Sequence, residues 1–175
     1  MKWTGLSGLK SIIKQESHAL PAITIACDVE NPLLGSNGAT TVYGPQKGMK
    51  EGDFDVADKC LNQFARIVED NIGIDFSEIP GAGAAGGLGF GMMAFAGAKI
   101  RSGFELFAEI TNLESKISNS DIVITAEGGI DMQTLMGKGT GQVASMCRDL
   151  KKPCIGLAGV LEPVSYTHLR AHETS

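Results

Sequence analysis

Short apolar runs alternate along the chain with stretches of helical periodicity. Three of these runs predict buried strands, at Ala22–Cys27, Asp121–Thr125 and Cys154–Ala158. After Asp53, apolar residues recur three and four positions apart, which predicts a helix that ends near Gly73. Strands that alternate with helices in this way indicate an α/β fold with parallel strand pairing.

Two further helices are predicted, one through Leu88, Met92 and Phe95 and one over Gln142–Leu150. A long polar loop follows the first strand and contains a predicted short strand at Thr40–Tyr43. In parallel sheets, ligands bind beyond the carboxyl ends of the strands. The first functional candidates are therefore the acidic residues that follow the predicted strands, Asp28, Glu127 and Asp131.

Composition narrows the class of protein. The chain has 175 residues, 43% of them hydrophobic, which suits a domain with a buried core. Its net charge of −5 argues against nucleic acid as a partner, because phosphate backbones are bound through clustered Lys and Arg. The four cysteines form no C-x-x-C pair and the first ten residues have no signal-peptide pattern, so we expect reduced thiols in a cytoplasmic protein.

The segment Ile79–Ala98 contains twenty residues without a charge, a length that could span a membrane. A membrane-associated permease fragment is therefore one alternative. Seven of the twenty residues are glycine, however, so insertion into lipid would be weakly driven. We expect no membrane partner.

The densest motif is the glycine-rich segment Gly81–Gly91. Glycines followed by a helix can direct backbone N–H groups at a phosphate, which makes Gly81, Gly83, Gly86 and Gly87 candidate anion-binding residues. The first three also match the dinucleotide fingerprint by letter, and this leaves a dinucleotide-dependent oxidoreductase as a second alternative. Residues 72–80 make a poor strand, so the context for that fingerprint is weak. Tight helix packing would equally account for the glycines.

A second group combines two carboxylates, Glu127 and Asp131, with Lys138. Phosphoryl transfer uses these residue types, since carboxylates hold Mg²⁺ or orient a hydroxyl while a cation stabilises the migrating charge. Acidic residues that complement a helix N-terminus would give the same pattern. A Walker A motif around Gly137 and Lys138 would need Gly at position 132 and Ser or Thr at position 139, where this chain has Met132 and Gly139, and this excludes a P-loop enzyme.

The polar loop after the first strand supplies the third group: Asp28, Asn31, Asn37 and Lys47. Asn, Asp and Gly are common in turns for conformational reasons alone. A polar loop of this length is nevertheless more often functional than idle.

These three groups, in this order, resemble the glycerate kinase family. The matching stretches are Ala26–Gly35, Gly44–Gly48, Gly81–Gly89 and Asp121–Lys138. The resemblance implies transfer of the ATP γ-phosphoryl group to a hydroxyl of D-glycerate with Mg²⁺, and a two-domain α/β architecture. Which hydroxyl accepts the phosphoryl group and the oligomeric state stay open.

The resemblance also suggests roles for the candidate residues. Asp131, Glu127 and Lys138 would be catalytic, and Asp131 and Asp28 would bind the metal ion. Substrate would contact Asp28, Asn31 and Asn37. The phosphates of ATP would contact Lys47 and four glycines of the glycine-rich segment, namely Gly81, Gly83, Gly86 and Gly87.

The family proteins are longer at both ends, so we expect a fragment that is inactive as it stands. Residues 1–115 would belong to the middle α/β domain and residues 116–162 to part of a flavodoxin-like or Rossmann-like domain. Residues 163–175 read as a non-native, adapter-derived tail, which holds two of the three histidines. Ala126 and Gly129 stand where the family has Gly and Arg, and that Arg would contact the substrate carboxylate or a phosphate.

Overall fold

The computed structural model describes residues 4–13, 20–130 and 139–161. They form two compact units that divide between Gly103 and Phe104. Each unit contains a pair of parallel strands, as the alternating sequence pattern predicts.

The first unit contains α1 (Thr4–Ser7), β1 (Thr24–Ala26), α2 (Ala39–Tyr43), α3 (Phe54–Ile72), α4 (Ala84–Ala96) and β2 (Lys99–Arg101). Short 3-10 helices lie between α2 and α3, at Pro45–Lys47 and Glu51–Asp53. The rest of the chain contains α5 (Gly103–Thr111), α6 (Leu113–Ser118), β3 (Val123–Ile130), α7 (Gly139–Asp149) and β4 (Cys154–Leu161). The three predicted strands and three predicted helices are thus confirmed, with shifted ends.

Strands β1 and β2 pair in parallel, with Ile25 opposite Ile100. Backbone hydrogen bonds continue beyond the assigned strands, because the Cys27 N–H donates to the carbonyl of Arg101 at 2.9 Å. The sequence did not predict β2, because this strand has three residues of which two are charged.

The core of the first unit lies where α3 and α4 pack with the loop after β1. Its buried members are Leu33, Ala39, Ala65, Val68, Ala82, Phe90 and Met93. The rings of Phe64 and Phe90 meet edge to face, with centroids 5.6 Å apart. Full burial of a side chain such as Phe90 contributes about 1.5–3 kcal/mol, so this cluster stabilises the unit.

The short strand predicted at Thr40–Tyr43 is wrong, since these residues form most of helix α2. The Val42 N–H donates to the carbonyl of Gly38 at 3.0 Å. Ala39 and Thr40 are both only 3% exposed, and α2 packs against α4. Burial of this helix face outweighs the preference of Thr and Val for extended backbone, which is worth a fraction of 1 kcal/mol per residue.

Strands β3 and β4 of the second unit pair in parallel from Val123, opposite Cys154, to the end of both strands. Several of their large apolar side chains are exposed, among them Ile124 at 63% and Leu157 at 54%. Parallel sheets are normally covered on both faces. Within the described residues, this pair of strands therefore has apolar surface that the chain leaves uncovered.

Cys147 of α7 is fully buried, and burial together with a hydrogen bond to Cys154 raises the pKa of its thiol to about 11. All four cysteines are free thiols. A protonated, buried thiol is a poor nucleophile, so Cys147 acts as a core residue.

Two alternative functions were left open by the sequence, a dinucleotide-dependent oxidoreductase and a membrane-associated permease fragment, and the structure supports neither. Residues 74–83 form turns and irregular backbone, so the strand that must precede a dinucleotide fingerprint is missing from this described segment. Helix α4, which covers much of the charge-free segment, has 13 residues. None of the helices in the described part of the chain is both long and apolar enough to cross a membrane.

Two glycines of α4 differ in their surroundings and provide a matched test of packing. A Cβ at Gly89 would meet the backbone carbonyl of Gly81, whereas a Cβ at Gly91 would have no neighbour within 4 Å among the residues that the structure describes. We expect Gly89→Ala to lower the free energy of unfolding by about 1–3 kcal/mol through overpacking. Gly91→Ala should raise it by up to about 1 kcal/mol through helix propensity. Urea denaturation followed by circular dichroism measures both, and equal effects would contradict the close approach at Gly89.

Candidate functional site

The glycine-rich segment turns sharply before α4 continues as a regular helix. Ala85, Gly86 and Gly87 follow one another with φ of 55°, 81° and 100°, a left-handed run that L-residues other than glycine rarely adopt. The N–H groups of Gly86 and Gly87 both donate to the carbonyl of Gly83, at 2.9 and 3.2 Å. An anion would reach these two N–H groups only in competition with that carbonyl.

Gly83 joins this turn to the loop after β1. Its N–H donates to the carbonyl of Asn31 at 2.9 Å, and a Cβ at Gly83 would meet the carbonyl oxygen of Pro32. Gly81 packs on the sheet less tightly, since a Cβ there would be 3.1 Å from Cδ1 of Ile100 in β2 and 3.3 Å from Cys27 Sγ. Two of the three groups predicted from the sequence are therefore in direct contact.

Lys47 also contacts the glycine-rich turn. Its Nζ donates a hydrogen bond to the carbonyl of Ala85 at 2.8 Å and lies against Gly86, where a Cβ would be only 2.6 Å away. The lysine side chain is exposed and extends from the 3-10 helix Pro45–Lys47. The structure thus places a cation directly on the left-handed turn.

The Asn31 side chain connects two parts of the polar loop through hydrogen bonds. Its Nδ2 donates to the backbone carbonyl of Asn37 at 2.8 Å, and its Oδ1 accepts from the hydroxyl of Tyr43 at 2.9 Å. Both ends of the Asn31 amide are therefore used within the protein. Burial, and to a lesser extent the nearby Cys27, raise the pKa of Tyr43 above 10.0, so its hydroxyl is protonated and can act as the donor at neutral pH.

Asp28 lies two residues after the end of β1, beyond the carboxyl end of the strand as predicted. Its Oδ1 accepts a hydrogen bond from the N–H of Gly103, the first residue of α5, at 2.8 Å. A carboxylate suits this place because it satisfies an N–H group at a helix N-terminus.

Glu127 does not follow β3, as the sequence predicted, but lies inside it, opposite Ala158 of β4. The pairing of β3 with β4 continues to Ile130 and Leu161, and this extended ladder carries the strand past Glu127. The Thr140 hydroxyl, at the start of α7, donates to Glu127 Oε2 at 2.6 Å. The other two catalytic candidates, Asp131 and Lys138, lie outside the described residues.

Tyr43 and Thr40 were missed as site residues, because both were assigned to a strand. Tyr43 holds Asn31, and Thr40 is a buried residue of α2. Gly38 before the segment and Gly44 after it could have indicated a helix, because glycine is accepted at both ends of helices.

The sequence and the structure of this chain are both similar to those of known proteins. The family model described as "Glycerate kinase family" matches residues 4–174. Glycerate 2-kinase from Escherichia coli (strain K12) is 45% identical over 139 residues, which are 79% of this chain and 36% of that protein. Glycerate kinase from Halalkalibacterium halodurans is 46% identical over 139 residues, or 79% of this chain and 37% of that protein.

A solved structure matches as well. The crystal structure of a protein assigned as glycerate kinase 2 from Salmonella typhimurium LT2 superposes with a TM-score of 0.75 at 36% identity. The match covers 91% of this chain and 46% of that chain. The α/β fold class is thereby confirmed, and this chain spans less than half the length of each of these relatives.

The raised pKa of Tyr43 gives a direct spectroscopic prediction. Tyr43 and Tyr166 are the two tyrosines of the chain, so in Tyr166→Phe the tyrosinate absorbance reports Tyr43 alone. We expect a titration midpoint above 10.0 in the folded protein and the ordinary value in urea. Because the folded pKa is the higher one, this group destabilises the fold as pH rises above 10.0. A folded-state midpoint at or below 10.0 would contradict the burial of this hydroxyl.

Proposed function

Because the chain belongs to the glycerate kinase family, we propose that it supplies part of a site that phosphorylates D-glycerate with ATP. The observation that carries this proposal is the contact of Lys47 with the left-handed turn at Ala85–Gly87. A cation held beside a glycine turn is an arrangement suited to a phosphate group. The cytoplasm, where ATP is available, is the expected location.

In the proposed reaction, a hydroxyl oxygen of glycerate attacks the γ-phosphorus of ATP. The bond from that phosphorus to the bridging oxygen of ADP breaks, and the hydroxyl proton passes to a carboxylate, either Asp131 or Glu127. Lys47 and Lys138 offset the negative charge of the phosphates. This division of roles follows the general pattern of phosphoryl transfer, in which positioning and charge stabilisation supply the catalysis.

The glycines have two roles in this proposal. Gly83 has to be small because of its contact with Pro32. Gly81, Gly86 and Gly87 keep the turn in a shape that presents Lys47 to the phosphates. Asn31, through its two side-chain hydrogen bonds, positions the segment around Asn37 that would face the substrate.

The residues present are compatible with a magnesium ion. No cluster of three or more His, Cys, Asp or Glu side chains occurs in the part of the chain that the structure describes. Mg²⁺ needs few protein ligands when it binds with a nucleotide, because one or two carboxylates and the phosphates complete its shell. Asp28 and Asp131 would hold it, and the ion would neutralise charge on the phosphate being transferred.

The same proposal includes a division of the chain into two parts of the longer family architecture, residues 1–115 and residues 116–162. The origin of residues 163–175 also stays a prediction, since they lie outside the described residues.

A chimera tests the function. The matching 139-residue segment of the Escherichia coli relative is replaced by that of this chain, and ADP release is measured with D-glycerate, ATP and Mg²⁺. Release that requires all three would support the proposal. A chimera that is folded by circular dichroism but inactive, while the unmodified relative is active, would overturn it.

Lys47→Met in this chimera tests the role of the cation. We expect kcat/KM for ATP to fall roughly 30-fold or more, equivalent to about 2 kcal/mol, because a charged partner of the phosphates is removed. Lys50→Met is the matched control, since Lys50 is an exposed lysine of the same segment and should leave kcat/KM within twofold. Equal effects of the two substitutions would contradict a specific role for Lys47.

Gly129→Arg tests the departure from the family pattern. Among the described residues, a Cβ at Gly129 would have only the carbonyl oxygen of Val160 within 4 Å, at 3.9 Å, so this part of the strand has room for a side chain. We expect the chimera with Gly129→Arg to remain folded and to have a lower KM for D-glycerate, because the guanidinium can bind a carboxylate. An unchanged KM would show that Arg at this position does not contact the substrate.

A further inference from the structure

Two of the four cysteines are neighbours in the second unit. Cys147 lies in the last turn of α7, and Cys154 is the first residue of β4. Helix α7 packs against β4, and the Lys152 N–H donates to the carbonyl of Cys147 at 2.8 Å, which keeps the connection between the two elements short. The Cys147 thiol is hydrogen-bonded to Cys154. The two sulfur atoms therefore lie within hydrogen-bonding reach of each other in the reduced protein.

The two thiols of this cysteine pair differ in their access to solvent. Cys154 is half-buried, whereas Cys147 is fully buried. A small oxidant in solution therefore reaches the pair through Cys154. Burial and the hydrogen bond raise the pKa of the Cys147 thiol to about 11, so Cys147 keeps its proton at neutral pH and is not the first of the two to react.

We propose that Cys147 and Cys154 form a reversible oxidation site, at which a hydroperoxide such as hydrogen peroxide converts the pair into a disulfide between α7 and β4. A partly exposed cysteine beside a second cysteine that can resolve its oxidised form is the arrangement found at redox-sensitive sites. The inference does not rest on the proposed function, because the cysteine pair includes none of the residues assigned to phosphoryl transfer.

The reaction has two steps. The Cys154 sulfur attacks one oxygen of the peroxide, so that an S–O bond forms, the O–O bond breaks, and the departing oxygen leaves as water with the thiol proton. The Cys147 sulfur then attacks the resulting sulfenic acid, so that the S–S bond forms, the S–O bond breaks, and the Cys147 proton leaves with the hydroxyl as a second water. The two thiols lose two electrons, and one peroxide is reduced to two waters. Because the second step is intramolecular, the close contact of the pair favours it even though the Cys147 thiol is protonated.

Peptide mapping of the 175-residue chain after treatment with hydrogen peroxide tests the proposal. Trypsin cleaves after Arg148 and Lys151, between the two cysteines, so the disulfide would leave two peptides joined until dithiothreitol separates them. We expect the number of free thiols to fall from four to two. Cys27 is the internal control, because it is also half-buried but its thiol donates to the carbonyl of Val29 at 3.3 Å. Four remaining free thiols, oxidation of Cys154 without a link to Cys147, or an equal yield of disulfides through Cys27 would each overturn the proposal.

A second variant separates the effect of the fold from closeness along the chain. In Cys154→Ser/Ile155→Cys the second thiol moves by one residue within β4, and successive side chains of a strand point to opposite faces. The Ile155 side chain is 45% exposed, so a cysteine is tolerated there. We expect roughly tenfold less disulfide with Cys147 in this variant, because the new thiol points away from the helix. Equal yields would show that closeness along the chain, and not the packing of α7 on β4, joins the cysteines, and would overturn the inference.

Discussion

The close contact between Gly83 and the loop after β1 is the constraint on which the first unit depends. The Gly83 N–H donates to Asn31, and no side chain at position 83 would fit against the Pro32 carbonyl. This contact holds the glycine-rich turn against the polar loop and so places α4 beside α2. The core around Leu33 and Phe90 follows from that placement.

Much of the fold was predictable because burial leaves a regular pattern. Helix α3 has an apolar face at helical spacing, and the predicted strands are apolar runs bounded by polar residues. Helix α2 was not predictable in this way. Its last four residues, Thr40–Tyr43, prefer extended backbone, and the packing of Ala39 and Thr40 within the unit outweighs that preference. Strand β2 was missed because its three residues lack an apolar pattern and depend on pairing with β1.

The candidate site was predictable in its residue types but not in its contacts. Sequence motifs selected Asn31, Lys47 and the glycines, and the structure brings these residues together. It also shows that the Asn31 side chain and the Gly86 N–H are occupied by partners within the protein, which no spacing in the sequence reveals. Glu127 was displaced from its expected position because strand length depends on the partner strand.

The hydrogen bond from Lys47 to Ala85 has an entropic consequence. A free lysine side chain loses up to about 2 kcal/mol of rotamer entropy when it is fixed on a ligand. Lys47 is exposed yet already held by a backbone carbonyl at 2.8 Å, so much of that ordering takes place when the protein folds. The side chain is therefore preorganised for an anion. The same ammonium group steadies the left-handed turn, so the local rigidity of this loop and its affinity for anions are linked through one hydrogen bond.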